Sequence, residues 1–275
     1  MSKSPETANL AVFCDFENIA LGVRDSRYAQ FDISKVLERL LLKGSIVVKK
    51  AYCDWERYKE FKAAMHEAAF ELIEIPHVRQ SGKNSADIRM VVDALDLCYT
   101  KSHVDTFVIV SGDSDFSPLV SKLRENNKNV IGVGVKNSTS DLLIANCDEF
   151  IYYDNLVTEK KKAPKTTRKS SGKGSKAPDA KVKKDKDSET LIQEALDLVM
   201  ETLEALAEER GSEDKIWGSM VKQTLKRRRP GFNESYYGFR SFKRLLDEAA
   251  GRGLMELEPD EKSGGYIIRS FHTED

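Results

Sequence analysis

The chain is poor in soft metal ligands. Its 275 residues include only four cysteines and four histidines. Cys14, Cys53, Cys98 and Cys147 stand far apart, form no CxxC pair and sit in apolar runs. They are read as reduced core residues, not as a disulfide frame or a redox pair. His66, His77, His103 and His272 have no zinc-ligand spacing. No apolar run approaches the ~18 residues of a membrane-spanning helix. The polar stretch Met1–Asn9 leads directly into a strand-like run and carries no signal-peptide pattern. The expectation is a soluble, cytoplasmic protein. A net charge of −1 gives no overall pull toward a polyanion, so charge has to be read locally.

What is present suffices for real cores. Hydrophobic residues make up 40% of the chain, and its length suits about two domains of ~100–200 residues. Up to about residue 157, short apolar runs alternate with amphipathic segments. Strands are expected at Leu10–Asp15, Ser45–Tyr52, Glu71–His77, Thr106–Val110, Val130–Val135 and Phe150–Tyr153. Helices are expected at Ile33–Leu42 behind an Asp32 cap, Glu56–Phe70, Ala86–Lys101, Pro118–Asn127 and Leu142–Asn146. Thr106–Val110 is wholly apolar after its first residue, which suits a strand buried on both faces. Strand and helix alternating at this spacing predict a three-layer α/β/α domain with a mainly parallel sheet.

Residues 158–187 change character abruptly. They hold about three basic residues for each acidic one and almost no large apolar side chain. Such a segment cannot bury enough surface to offset chain entropy, so it reads as a disordered basic linker. Residues 188–275 then form a smaller domain. An apolar stripe runs from Leu191 to Leu206, with further helices expected at Ile216–Leu225 and Tyr237–Ala250. Two strands, Leu254–Leu257 and Tyr266–Ile268, flank the turn Lys262–Gly265. Three helices and a hairpin make a winged-helix arrangement.

Acidic residues collect where ligands bind in parallel sheets, beyond the carboxyl ends of the strands. The first strand ends in Asp15-Phe16-Glu17-Asn18 and the fourth in Ser111-Gly112-Asp113-Ser114-Asp115. Asp87 opens the helix after the third. Right-handed crossovers make strands one and four neighbours, so Asp15, Asp87, Asp113 and Asp115 converge on one rim. Two carboxylates ~4–5 Å apart repel by about 3–4 kcal/mol at an effective dielectric of ~20. A cluster of them calls for a cation. Hard oxygen donors without His or Cys select Mg²⁺ or Mn²⁺ over zinc. Each acid also has a plainer reading: Asp87 as complement to a helix N-terminus, Asp113 and Asp115 as turn and cap, Asn18 as a turn residue. Lys136, after strand five, reads as an exposed charge or a backbone contact for a substrate. Asp93 and Asp96 read as a solvated helix face.

The stretches VFCDFENI, SADIRMVVDAL and VIVSGDSDFSPLVSKLRENNKNVIGVGV resemble the NYN domain of the PIN-like nuclease superfamily over residues 9–155. The resemblance implies Mg²⁺- or Mn²⁺-dependent ribonuclease activity. It carries Asp15, Asn18, Asp87, Ser111, Asp113 and Asp115 as catalytic residues, the four acids as metal ligands. Gly82-Lys83-Asn84-Ser85-Ala86 stands where many members have Lys-Gly closely before the second acid.

Residues 188–270 resemble the LOTUS domain, also called OST-HTH, through Ser219, Leu225, Arg229-Pro230-Gly231-Phe232, Tyr237-Gly238-Phe239, Phe242 and Leu245-Leu246. That implies a winged helix that binds RNA or docks a protein such as a helicase. Lys222, Lys226, Arg227, Arg228 and Arg229 form a basic run, and Arg240, Lys243 and Arg244 are placed on the solvent side of the third helix. Such stripes suit phosphate contacts; the plainer reading is a solvated face. Phe239, Phe242 and Trp217 read as core.

The leading expectation is a metal-dependent endoribonuclease targeted to RNA by a tethered winged helix. The alternative is a non-catalytic RNA-binding regulator that keeps the fold. A third reading, a phosphate-accepting receiver, leaves Ser111–Phe116 and Asp87 without a purpose.

Overall fold

The computed structural model describes residues 8–28, 30–75, 85–158, 179–210, 215–260 and 264–271. It forms two units, Met1–Lys162 and Ala163–Asp275. His77 at the end of the expected third strand, Gly82-Lys83-Asn84 before the second acid and residues 159–178 of the expected linker lie outside the described residues.

In the first unit, six parallel strands lie in the order β3-β2-β1-β4-β5-β6. They are β1 (Ala8–Asp15), β2 (Gly44–Cys53), β3 (Glu71–Glu74), β4 (Thr106–Val110), β5 (Asn129–Gly134) and β6 (Glu149–Tyr152). The helices are α1 (Phe16–Asp25), α2 (Ile33–Leu41), α3 (Lys59–Glu67), α4 (Ser85–Thr100), α5 (Ser117–Glu125), α6 (Asp141–Asn146) and α7 (Tyr153–Thr158). Alternation along β1 explains the layers. Leu10, Val12 and Cys14 face one core, with side chains of α1, α2 and α3. Ala11 and Phe13 face the other, with α4, α5 and α6. β4 is buried at every position. All four cysteines are free and buried, and Asp32 caps α2 by accepting from the Ser34 N–H.

The expected strands one and four are paired, with Cys14 opposite Val110. Asp15 and Ser111 each follow that last pair. The chain leaves β1 toward β2 and β3, then returns to build β4, β5 and β6 on the other side. The crevice between β1 and β4 is therefore the topological switch point.

Several segments differ from expectation. α1 follows β1 with no intervening turn, because Asp15 serves both as strand end and as helix cap; no loop punctuation announces it. α3 begins only at Lys59, since residues 55–58 are spent on a turn. Asp93 is not solvated. It accepts from the Tyr52 hydroxyl at 2.9 Å, from Lys50 at 3.3 Å and from Arg89 at 3.0 Å. Asp96 is exposed.

The second unit holds α8 (Asp179–Arg210), β7 (Ile216–Trp217), α9 (Gly218–Arg228), α10 (Phe242–Gly251), β8 (Met255–Pro259) and β9 (Tyr266–Phe271). The strands form an antiparallel sheet in the order β7-β9-β8. Leu196, Val199, Leu203, Val221, Leu225, Leu245 and Leu246 share its core. α8 begins inside the expected linker, at Asp179. Ile216 and Trp217 pair with Ile268 and Ile267 as a strand instead of opening the helix. Residues 237–241 are not helical either. Gly238 has φ of +90° and Ser241 caps α10 through the Arg244 N–H, so Arg240 precedes the helix. Phe242 is buried, and Phe239 packs on the same core. No described helix is long and apolar enough to cross a membrane.

Candidate active site at the switch point

The carboxylate of Asp15 is held from two sides. Its Oδ1 accepts from the Asn18 backbone N–H at 3.3 Å, and its Oδ2 accepts the Ser111 hydroxyl at 2.9 Å. Ser111 Oγ accepts in turn from the Asp113 N–H at 3.2 Å. The Asn18 side-chain oxygen accepts from the Gly112 N–H at 2.8 Å. Asp113 caps the short 3₁₀ turn Ser114–Phe116 by accepting from the Asp115 N–H at 3.0 Å. One network thus ties the end of β1 to the end of β4. Asp15 and Ser111 are buried, Asn18, Asp87 and Asp113 half-buried, and Asp115 exposed.

The charges in this crevice interact. Burial, followed by the negative charge of Asp87, raises the Asp15 carboxyl to about 7, despite the opposing bonds from Ser111 and Asn18; Asp113 raises it further. Burial raises Asp87 to about 6, and Asp113, Asp115 and Glu17 add to that in this order. No lysine or arginine among the described residues forms an ion pair with any of the four aspartates. Unpaired carboxylates in a shared crevice favour a cation. Their oxygen donors suit a hard ion such as Mg²⁺ or Mn²⁺. As the side chains are placed, however, no three His, Cys, Asp or Glu among the described residues stand close enough to enclose a metal. The fit lies in donor chemistry and in charge that no described cation compensates.

Lys136 lies in the exposed 3₁₀ turn Lys136–Ser138, and its backbone N–H donates to Asp154 Oδ2 at 2.8 Å. The following residues pack against the Gly112 backbone. The Ser140 N–H donates to the Gly112 carbonyl at 2.9 Å. A Cβ on Gly112 would lie 2.3 Å from the Ser138 carbonyl oxygen, so only glycine fits there.

Two neighbours went unassigned in the sequence. Glu17 lies inside the first motif, and its charge reaches Asp87. Arg57, from the turn before α3, pairs with Glu17 at 3.2 Å. Nothing in the sequence signals that contact, which spans 40 residues.

In the second unit the basic residues divide. Lys222 is paired with Glu234 at 2.7 Å and Arg228 with Glu201 at 2.5 Å. Arg244 lies 3.7 Å from Asp247, and Lys243 stands 4.5 Å from the Tyr266 ring centroid. Lys226 lies half-buried in the last turn of α9. Arg227, Arg229 and Arg240 are exposed and form no ion pair with another described residue.

The parallel sheet, its two helical layers and the acidic switch point define a PIN-like domain. Residues 9–154 match the model of the NYN domain family, and the chain belongs to that family, part of the PIN-like nuclease superfamily. An uncharacterized protein of Methanocaldococcus jannaschii is 29% identical over 141 residues, which are 49% of this chain and 55% of that one. Meiosis regulator and mRNA stability factor 1 of Xenopus tropicalis is 26% identical over 150 residues, 54% of this chain and 9% of that protein. The chain thus spans about half the archaeal relative and a small part of the amphibian one. A crystal structure of a protein of unknown function from Vibrio parahaemolyticus superposes with a TM-score of 0.50 at 26% identity, over 56% of this chain and 98% of that one.

Proposed function

We propose that the chain is a divalent-metal-dependent endoribonuclease that hydrolyses RNA phosphodiester bonds. The observation that carries this reading is the mutual repulsion of Asp15 and Asp87 in a crevice where no described cation answers them. Membership in the NYN family and the mRNA-related name of one relative support RNA as the substrate.

Asp15, Asp87, Asp113 and Asp115 would hold Mg²⁺ or Mn²⁺. When bound, that ion supplies positive charge and Lewis acidity to a phosphodiester. The chain's own residues do the rest. Ser111 and the Asn18 N–H fix the orientation of Asp15. Asn18 also holds the Gly112 peptide, and so the backbone that presents Asp113. Lys136, exposed beside this backbone, contributes a phosphate contact. Asp115, the most exposed acid, orients an attacking water or completes the ligand set.

The second unit is assigned as a LOTUS/OST-HTH winged helix that binds RNA. The described helices α8, α9 and α10, the three-stranded antiparallel sheet, and Arg227, Arg229 and Arg240, which form no ion pair with a described residue, support that role. Lys222, Lys226, Arg228, Lys243 and Arg244 extend the same basic surface. A tethered second module raises the local concentration of the first on one RNA. A protein partner such as a helicase is the other occupant the module suits.

One observation favours a second reading, a regulator that binds RNA without cutting it: among the described residues, no three acids stand close enough to enclose a metal. Cleavage of end-labelled single-stranded RNA in Mg²⁺ or Mn²⁺ decides between the two. Cleavage abolished by chelation and by Asp113→Asn is the expected result. RNA binding without any cleavage in either metal establishes the second reading.

A further inference from the structure

Beside the acidic crevice, α1, the loop after it and the start of α3 enclose a half-open cavity of about 450 Å³. Aromatic and aliphatic side chains wall it, and its charged lining is Arg24, paired with Asp25 at 3.4 Å, Arg57, paired with Glu17 at 3.2 Å, and Glu60. Tyr28, Phe31, Tyr58 and Phe61 line it, with Arg24 and Arg57. Both arginine side chains are more than half exposed, at 73% and 52%. None of these residues belongs to the acidic network or to the second unit.

The cavity is built onto the acidic site. Phe16, wholly buried between Asp15 and Glu17, touches three of the four aromatics. Its ring centroid lies 5.9 Å from Phe31, 5.6 Å from Tyr58 and 5.0 Å from Phe61, each edge-on. Glu17 joins the two places electrically, acting on Asp87 on one side and pairing with Arg57 on the other. Glu17, Ala20, Leu21 and Arg24 follow i, i+3, i+4, i+7 along one face of α1. At 1.5 Å per residue, Arg24 lies only about 10 Å along the axis from Glu17.

We infer that this cavity is a nucleotide subsite. It takes one unpaired base of an RNA strand against Tyr58 and Phe61, with Arg24 and Arg57 on the adjoining phosphates. The inference rests on the reading of the chain as an RNA-binding NYN protein and adds the place where the strand is gripped. An aromatic wall with arginines is the pairing that holds single-stranded nucleic acid, because every base has a π-face and every link a charge. A base inside a duplex has both faces covered by its stacked neighbours, so it cannot enter without leaving the helix. Glu60, on the lining, accepts from an exocyclic amino group. Adenine, cytosine and guanine carry one and uracil does not. Arg24 and Arg57 reach the strand by exchanging Asp25 and Glu17 for phosphates, a trade open to exposed and half-exposed ion pairs.

The test uses the full chain with fluorescent single-stranded RNA in chelator, so that binding is read without cleavage. Arg24→Glu with Arg57→Glu, and separately Tyr58→Leu, are each checked for folding by thermal unfolding. Each is expected to weaken single-stranded binding by about tenfold and to leave duplex binding unchanged. Tyr58→Phe, which keeps the ring, is expected to retain wild-type affinity. RNA carrying 6-thioguanosine, which keeps an exocyclic amino group, is expected on irradiation with the wild type to crosslink to peptides containing residues 20–31 or 57–61. Wild-type RNA binding with crosslinks only elsewhere and no effect of folded variants overturns the subsite while leaving the RNA reading intact. No RNA binding by the wild type overturns both.

Discussion

The hydroxyl of Ser111 donates to Asp15 Oδ2 across 2.9 Å, binding residues 96 positions apart. Among the described residues it is the one side-chain bond that opposes the upward shift of the Asp15 carboxyl. Removing it leaves a buried acid with less to hold it ionised, and leaves the Asp113 N–H without its acceptor. Ser111→Ala is therefore expected to lower metal affinity or cleavage by about 10–100-fold, as loss of a supporting bond to a ligand does. The acidic limb of the pH–rate profile should move to higher pH. Ser111→Thr, which keeps the hydroxyl, should restore part of both.

Asp15 and Asp87 also govern stability against pH. Their folded values, about 7 and about 6, lie above the ordinary 3.8. The folded state therefore binds protons more tightly than the unfolded chain. This stabilisation is full below about pH 4 and is lost as pH rises through 6 to 7. In chelator, these two groups make the first unit less stable at pH 8 than at pH 5. Asp15→Asn should remove much of that fall and raise the melting temperature at pH 8 by several degrees. Added Mn²⁺ should stabilise the wild type at pH 8 and do little for the variant. Calorimetry across pH settles this, and a wild-type Tm that rises from pH 5 to 8 while that of Asp15→Asn does not would falsify the assignment.

Two glycines meet the same serine and should respond differently. A Cβ on Gly112 collides with the Ser138 carbonyl oxygen at 2.3 Å, whereas one on Gly22 collides with the Ser138 hydroxyl at 2.3 Å. A hydroxyl can be removed and a carbonyl cannot. Gly112→Ala is expected to destabilise the unit by about 2–4 kcal/mol and to stay unrescued by Ser138→Ala. Gly22→Ala should be milder, and Ser138→Ala should recover much of its loss. Denaturant melts of the singles and doubles measure the coupling.

Basic residues of the second unit should sort by their partners. Arg227, Arg229 and Arg240 make no described ion pair, whereas Lys222 and Arg228 already answer Glu234 and Glu201. Replacing the first three with glutamine should weaken RNA binding and flatten the slope of log K against log salt by about 0.7 for each lost phosphate contact. Replacing Lys222 should affect folding more than salt dependence. Titrations at several salt concentrations distinguish the two sets.

The sheet was legible because its period is short and its strands are buried. β1, β2, β4 and β5 announce themselves as apolar runs, and alternation with helices fixes their parallel sense. The pairing of β1 with β4 followed from handedness alone. α1 was not legible, since Asp15 ends a strand and starts a helix without any turn residue between. The β7 strand was hidden for a different reason: two residues are too few to show a period. Long-range charge was equally silent. Asp93 reads as a surface acid on α4 until Lys50 and Tyr52, more than 40 positions earlier, are folded beneath it. The acids of the rim were legible by type and position. Arg57, Tyr58 and Phe61 beside them were not, because they come from a turn and a helix start that carry no motif.

The order in which the acidic rim can come into being follows from the Asp15–Ser111 bond. Asp15 is made early, but its partner belongs to a strand that docks only after β2, β3 and the intervening helices exist. Contacts of such long sequence separation form late, after the loop entropy between them has been spent. A nascent or truncated chain that stops before β4 holds only Asp15 and Asp87 of the rim, with neither Ser111 to orient the first nor Asp113 to repel them. Whatever chemistry the rim supports is thus withheld until more than a hundred residues have been synthesised and correctly paired.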